Sequence, residues 1–503
     1  MKPHRPSELA IALRALKNQQ DSGVGSVFHG SGVLGVANTK ILLQNGFLEQ
    51  VLKGWYIASS PTHAGTTVSW FASYWSFVAA YCNSRFGENW CLTPEESISV
   101  LSGATVIPRQ VIVRVRKGSN SIQKLLHETS ILNITARLPA HREKDPTYGL
   151  NVYPIHEALL RCSPGFYLSH PKETRACLAA LAVNDALKAS VQSVGEASAG
   201  RLIGALKACG RTDVAEAVHD ILKAAGRRII ETDPFEHAPE PVLLLECSPI
   251  AARLRLLWAD MRRRIRPLFA QVEASTALRP LQEILKDIDD GYVADSYHSL
   301  SIEGYRVSED LIRRIAEGNW QPDSPTDQDH RNALAASGYY RAYRKVRASI
   351  ETIVKGADPG ETIAEELANW HRELFQPCVE AGLIKASDLL GYRRGQVYIA
   401  GSRYTPPPAS ALPDAMEAFF DLLRSERDYR IRALLGHFFF VHIHPYADGN
   451  GRTARFIMNA ALVAGGGRWI VIPVEMRTRY MQSLETASVN GKIEDFIAFI
   501  QSL

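Results

Sequence analysis

His444-Pro445-Tyr446-Ala447-Asp448-Gly449-Asn450-Gly451-Arg452-Thr453-Ala454-Arg455 places an imidazole, a carboxylate, a glycine-bearing turn and two guanidiniums within twelve consecutive residues. Asp448-Gly449-Asn450-Gly451 interrupts the chain, and Phe456, Ile457, Ala460 and Ala464 then recur at helical spacing, which predicts a helix opening at the glycines. The first N–H groups of such a helix lack intrahelical partners and form a phosphate site. Arg452 and Arg455 are three apart and share one face of its first turn, where they can reach successive phosphates. Two cations there repel each other and oppose the helix dipole, a conflict that an expected anion would relieve. Asp448 can either N-cap the helix or hold Mg2+ that bridges phosphates, and His444 is the group able to take a proton near neutral pH.

This segment resembles the signature of the Fic (Fido) family, H-x-F-x-[DE]-G-N-G-R-x-x-R. Every polar position matches, and Tyr446 stands where the family usually has Phe, which keeps the ring. The resemblance implies an all-α core that transfers AMP from ATP to a Tyr, Thr or Ser hydroxyl of a target protein, with pyrophosphate leaving. It implies that His444 is the base and Asp448 the Mg2+ ligand. Gly449, Asn450 and Gly451 would cradle the α- and β-phosphates, and Arg452 and Arg455 would hold the β- and γ-phosphates. The phosphorylating branch of the superfamily carries Lys where this chain has Gly451, which disfavours phosphoryl transfer. The plainer reading is a helix–turn–helix corner with a capping Asp and surface arginines; the coincidence of several roles at fixed offsets stands against it. His442 forms an H-x-H pair with His444, but no third ligand falls at a suitable offset, so His442 is expected to be packed or capping.

Upstream, Ser299-Leu300-Ser301-Ile302-Glu303-Gly304 resembles the S-x-x-x-E-G pattern of the family's inhibitory helix, in the group where that helix precedes the core. Ser299 and Glu303 face the same way on a helix, and Gly304 suits its end. The resemblance implies a Glu303–Arg455 pair in the place of the γ-phosphate; the alternative is an ordinary solvated helix. Between the two motifs, Gly391 to Thr405 is followed by Pro406-Pro407-Pro408, and the alternation around Val397 and Ile399 predicts a short exposed β-hairpin. It resembles the family's flap, in which Gln396, Val397, Tyr398 and Ile399 would align an extended target segment by strand addition. An ordinary surface hairpin is the competing reading. His371 to Phe375 fits a family core helix and is assigned packing without chemistry, while Tyr480 and Asn490 are candidates for an adenine wall.

A chain of 503 residues allows roughly three domains. A formal charge of +4 does not by itself argue for nucleic acid. Seven cysteines without a C-x-x-C or an even framework suit a reducing cytoplasm, with the thiols buried or idle. The start is not an apolar leader, and no run of about eighteen apolar residues occurs, so neither secretion nor a membrane span is expected.

The N-terminal half reads separately. A helical run from Pro6 to Leu16, a second from Asn38 to Gln44 and a hairpin from Gly46 to Ile57 suggest a winged helix-turn-helix. It loosely resembles the DNA-binding segment that opens abortive-infection-type antitoxins, a resemblance continued by the strand-like Val111 to Lys117. Asn38, Thr39 and Lys40 are the obvious polar readers of DNA; protein contacts or homodimerisation are the alternative use. Tyr167 to Arg228 reads as helical core. Pro234 to Pro241 reads as a linker, with new structure from Leu243. The basic run Arg253 to Arg266 reads as a solvated helix face or an interdomain contact ahead of a nucleic-acid groove.

The fold class expected is α+β multidomain: a winged helix over 1–60 within an α+β region continuing through 61–233, a helical region over 242–360, and an all-α core with a β-hairpin flap over 361–503. The function expected is an autoinhibited ATP:protein adenylyltransferase using Mg2+. Two alternatives stay open: a DNA-binding regulator or antitoxin-like protein whose core only senses nucleotide, and an enzyme that removes AMP.

Overall fold

The structure, a computed structural model, describes residues 7–20, 26–30, 32–61, 66–104, 106–118, 120–235, 247–269, 279–319, 327–397, 399 and 402–503. Met1 to Pro6, the linker positions 236–241 with Leu243, and Tyr398 lie outside the described residues. The chain falls into two compact units, Met1–Arg253 with Gln396–Pro406, and Leu254–Gly395 with Pro407–Leu503.

The first unit begins with α1 (Glu8–Gln19), β1 (Val27–His29), α2 (Val36–Gln44), β2 (Leu48–Leu52) and β3 (Trp55–Ala58), with the strands in an antiparallel sheet of order β1-β3-β2. The two helices and the hairpin read from the sequence are therefore present, joined by a third strand. Of the proposed base readers, Asn38 donates to the Leu34 carbonyl (2.8 Å) and the buried Thr39 hydroxyl to the Gly35 carbonyl (2.9 Å). Both side chains are tied to the loop before their own helix, which leaves only Lys40 exposed.

Next come α3 (Val68–Phe86), β4 (Trp90–Leu92), α4 (Pro94–Leu101), β5 (Gln110–Val115), β6 (Ile122–Lys124), β7 (Ser130–Thr135), β8 (Glu143–Lys144) and β9 (Asn151–Val152). The order β4-β5-β7-β6 contains one parallel pair, β5 with β7, in which Val115 lies opposite Thr135. Helix α3 is apolar nearly all round because both sheets pack on it: Trp70, Tyr74 and Phe77 share one buried cluster with Trp55 and Ile57 of β3 and Val111 and Val113 of β5. Six short helices complete the unit: α5 (Ile155–Arg161), α6 (Pro164–Ser169), α7 (Pro171–Ala179), α8 (Asp185–Ser193), α9 (Glu196–Ala208) and α10 (Thr212–Ala224).

The division between the units falls within α11 (Pro249–Phe269). The second unit is helical throughout its described residues: α12 (Leu281–Ile302), α13 (Glu309–Ala316), α14 (Asp327–Val354), α15 (Pro359–Glu380), α16 (Leu412–Ser425), α17 (Tyr429–Ile443), α18 (Asn450–Ala464), α19 (Arg477–Asn490) and α20 (Glu494–Gln501). Helix α18 is its centre, packed by α12, α14, α15 and α17, and every residue from Arg452 to Val463 is buried. The arginines of α11 divide: Arg263 and Arg266 are exposed, as on a solvated face, while three others are paired. Arg255, Arg262 and Arg264 pair with Asp421 (3.0 Å), Glu426 (2.6 Å) and Glu494 (3.3 Å) of the same unit.

The hairpin expected over 391–405 has no strand among its described residues. Tyr404 instead forms an isolated bridge with Val106, and the Arg403 guanidinium donates to the Ile107 carbonyl (2.7 Å). The Gln396 amide donates to the Pro406 carbonyl (2.6 Å). Among the described residues, Arg403 and Tyr404 thus turn to residues 106–107, and Gln396 to Pro406.

Candidate active site

Helix α17 ends at His444, which adopts left-handed backbone angles (φ 53°, ψ 58°), a conformation costing about 1–2 kcal/mol in a residue with a Cβ. Surrounding bonds hold it there. The Arg393 guanidinium donates to the His444 carbonyl (2.8 Å) and the Arg393 N–H to the Pro445 carbonyl (2.9 Å), while the His444 N–H closes on Phe440 (2.9 Å). The imidazole Nδ1 lies 3.2 Å from the Val441 carbonyl, an acceptor only, so Nδ1 carries the hydrogen and Nε2 keeps a lone pair. Burial, assisted by the charge of Arg393, pushes the pKa of His444 below the ordinary histidine value, against an opposing pull from Glu303 and Asp448.

The turn that follows is fixed by two contacts. The buried Asn450 amide clasps Tyr446, donating to its carbonyl (2.8 Å) and accepting from its N–H (3.0 Å). The Tyr446 ring stacks on His371 (3.6 Å between centroids), whose Nε2 lies 3.0 Å from the Asp448 carbonyl; burial lowers the pKa of His371 to about 4, so it is a neutral donor. Gly449 (φ 84°) sits at the N-cap of α18 over Phe375, and a Cβ there would come within 2.9 Å of that ring. Asp448 is therefore not the cap. Its Oδ1 accepts from the Gly449 N–H (2.5 Å) and from Arg452 (3.3 Å), and its side chain is 61% exposed.

The N–H groups of Asn450, Gly451 and Arg452 precede the first bond of α18, from Thr453 to the Gly449 carbonyl (2.9 Å). Arg452 is 1% exposed, its guanidinium flanked by the rings of Tyr305 (5.2 Å) and Phe375 (5.0 Å). Arg455 is 3% exposed, and it donates to the Ser299 hydroxyl (2.8 Å), the Ser299 carbonyl (3.1 Å) and Glu303 Oε1 (2.8 Å). Burial opposes the charge on Arg455, but the Glu303 carboxylate overrides it and raises the pKa further. These are not the surface arginines of the plainer reading. The same carboxylate lies against the first turn of α18, where a Cβ on Gly451 would collide with Glu303 Oε1. An anion supplied by the chain thus occupies an anion-attracting helix end.

Helix α12 is anchored near that end. Gly304 (φ 88°) turns the chain away, Arg477 donates to the Ile302 carbonyl (2.7 Å), the Val474 N–H donates to His298 (3.2 Å), and buried Asp295 accepts from Trp469 (3.0 Å) and Tyr339 (2.5 Å). Tyr305, Asp295 and Arg477 carry no motif and were not singled out from the sequence; Arg393 fell within the flap segment without a role of its own, and His371 and Phe375 were assigned packing alone. His442 is buried among Phe438 and Phe439. Tyr480 is buried with its hydroxyl on His437 (2.8 Å), which leaves no open ring face for adenine, and Asn490 is exposed at the end of α19.

Asp448 suits a Mg2+ ligand in one respect: only one of its oxygens is engaged and the carboxylate is open to solvent. Mg2+ commonly takes one or two carboxylates and completes its shell with substrate phosphates and water. No cluster of three metal-ligating side chains occurs among the described residues.

Residues 362–462 match the Fic/DOC family model, so the C-terminal region carries a Fic/DOC domain. A protein adenylyltransferase Fic of Drosophila willistoni is 31% identical over 250 residues, 49% of this chain and 45% of that protein; its counterpart in Drosophila yakuba is 29% identical over 291 residues, 56% and 55% respectively. The chain spans about half the length of the curated relatives it matches. Among solved structures, Fic-1 (residues 134–508) from C. elegans is 18% identical with a TM-score of 0.36, covering 64% of this chain and 90% of that one, a likeness too slight to bear on function.

Proposed function

We propose that the Fic/DOC domain of this chain transfers AMP from ATP to a hydroxyl of a protein, and that Ser299 and Glu303 restrain the reaction. The observation that carries the reading is the convergence of His444 Nε2, the free N–H groups of α18 and Arg455 on one turn, with Glu303 seated among them. The relatives named as adenylyltransferases support it.

In the proposed reaction the target hydroxyl oxygen attacks the α-phosphorus of ATP, the bond from that phosphorus to the bridging oxygen breaks, and pyrophosphate leaves. Nε2 of His444 takes the hydroxyl proton. The N–H groups of residues 450–452 hold phosphate oxygens as the charge redistributes. Arg452, desolvated between two rings, and Arg455 hold the outer phosphates. Mg2+, held by Asp448, would neutralise phosphate charge. Glu303 competes with the γ-phosphate for Arg455, so ATP binds with its α-phosphorus out of line. Geometry, not affinity, is then the brake.

The test is intact-mass analysis of the full chain, and of captured partners, after incubation with ATP and Mg2+. Glu303→Gly gains the mass of one adenylate in a form that resists dilution; His444→Ala in the Glu303→Gly background gains none. Equal labelling of these two chains would defeat the reading.

A further inference from the structure

Past the last residues of β5 and β7 lies a cavity of about 720 Å3, lined among others by Asn89, Arg116, Thr135, Arg137, Pro139 and Arg142. It lies wholly within the first unit. Because β5 and β7 are parallel, with Val115 opposite Thr135, both strands deliver their following residues to the same edge of the sheet. The backbone there is pinned: the Ala136 N–H bonds the Val115 carbonyl (3.0 Å) and the Arg116 N–H bonds the Asn89 carbonyl (3.1 Å). In open α/β sheets, the region past the carboxyl ends of parallel strands is where ligands sit.

Three guanidiniums line the cavity, and no carboxylate side chain does among the described residues. Neither the Arg116 nor the Arg137 guanidinium makes a hydrogen bond or ion pair among the described residues, and Arg142 donates only to the Glu88 backbone carbonyl (2.5 Å). The Glu88 carboxylate is turned to Lys144 instead (3.7 Å). Local composition agrees. Residues 101–150 hold eight Lys and Arg against three Asp and Glu, a larger excess than the whole chain's 57 against 53. Three like charges sharing a concavity repel one another, and no described lining residue carries an opposite charge.

We propose that this cavity binds an oligophosphate group through Arg116, Arg137 and Arg142. Planar guanidinium forks match phosphate oxygens two at a time, and three of them call for the closely spaced negative charges that linked phosphates present. The volume is that of an ordinary small-ligand site. The phosphates belong either to a free oligophosphate or nucleotide or to the backbone of a nucleic-acid strand.

The test compares the full chain with its Arg116→Ala/Arg137→Ala/Arg142→Ala variant, using sodium tripolyphosphate by calorimetry and a short single-stranded oligonucleotide by fluorescence anisotropy. All three side chains are exposed, so the variant should melt as the unmodified chain does. Both chains share the Fic/DOC site, so phosphate held there cancels. The expected result is tripolyphosphate affinity weakened at least about tenfold, since a single charge-assisted bond already has that worth. If the variant also weakens the oligonucleotide and flattens its salt dependence, the source is a nucleic-acid backbone; if only tripolyphosphate is weakened, the ligand is a free oligophosphate. Equal affinity of both chains for both probes overturns the proposal.

Discussion

The two anion-attracting regions of this chain differ in how deeply their cations are buried and in what those cations hold. At the first turn of α18, Arg455 is buried and holds Glu303 Oε1 at 2.8 Å, so the chain's own carboxylate sits against that helix end. At the ends of β5 and β7, among the described residues, the Arg116 and Arg137 guanidiniums hold nothing and no carboxylate lines the cavity. Similar side chains thus meet a carboxylate in one place and none among the described residues in the other. A count of cations cannot distinguish them; the partner of each cation does.

The largest effect should come from the base. His444→Ala should lower AMP transfer by about a hundred- to ten-thousand-fold while ATP still binds, because α18 and the arginines hold the phosphates independently of the imidazole. Labelled-ATP transfer and equilibrium binding, measured side by side, check this; transfer that persists at the unmodified rate rules out His444 as the base.

Glu303→Gly should make the first of these sites resemble the second. Auto-adenylylation should rise by about a hundred-fold, the scale of a positioning error, and adding Arg455→Ala should remove the gain. Equal initial rates for the unmodified chain and Glu303→Gly would reduce Ser299 to Gly304 to an ordinary helix end.

Arg393 touches the backbone of His444 and Pro445 but not the reacting atoms, so it is a positioning residue. Arg393→Ala in the Glu303→Gly background should lower kcat by up to about a hundred-fold with little change in KM for ATP. A rise in KM at constant kcat would show that Arg393 serves binding instead.

The smallest effect concerns pH. His444 is pushed below the ordinary histidine pKa, so it stays a neutral base to lower pH than a free imidazole, and the acid limb of kcat/KM should fall below about 6.5. Glu303 raises that pKa, so Glu303→Gly should move the limb to still lower pH. A limb at or above the free-imidazole value would contradict the described surroundings of His444.

The site was legible where its parts are contiguous or one helical turn apart. Asp448 to Arg455 could be read because the glycine break and the helical spacing share one segment, and Ser299 with Glu303 because four residues make one turn. What holds these parts in place was not legible. Arg393 reaches His444 across 51 positions, and Trp469 reaches Asp295 across 174; no periodicity carries such pairings. Around Val397 no strand occurs among the described residues: two alternating apolar residues state a preference for extended backbone without naming a facing strand. In the first unit the helices and hairpin were readable from spacing, but the spacing gave no warning that Asn38 and Thr39 are held by loop carbonyls.

The Glu303–Arg455 contact joins two helices of one polypeptide, and that has a practical consequence. An intramolecular competitor has an effective concentration fixed by the fold, so diluting the protein does not release it. Under the proposed restraint, the specific activity of the unmodified chain should be flat across protein concentration, and a component that raises it without raising that of Glu303→Gly would be one that displaces Glu303.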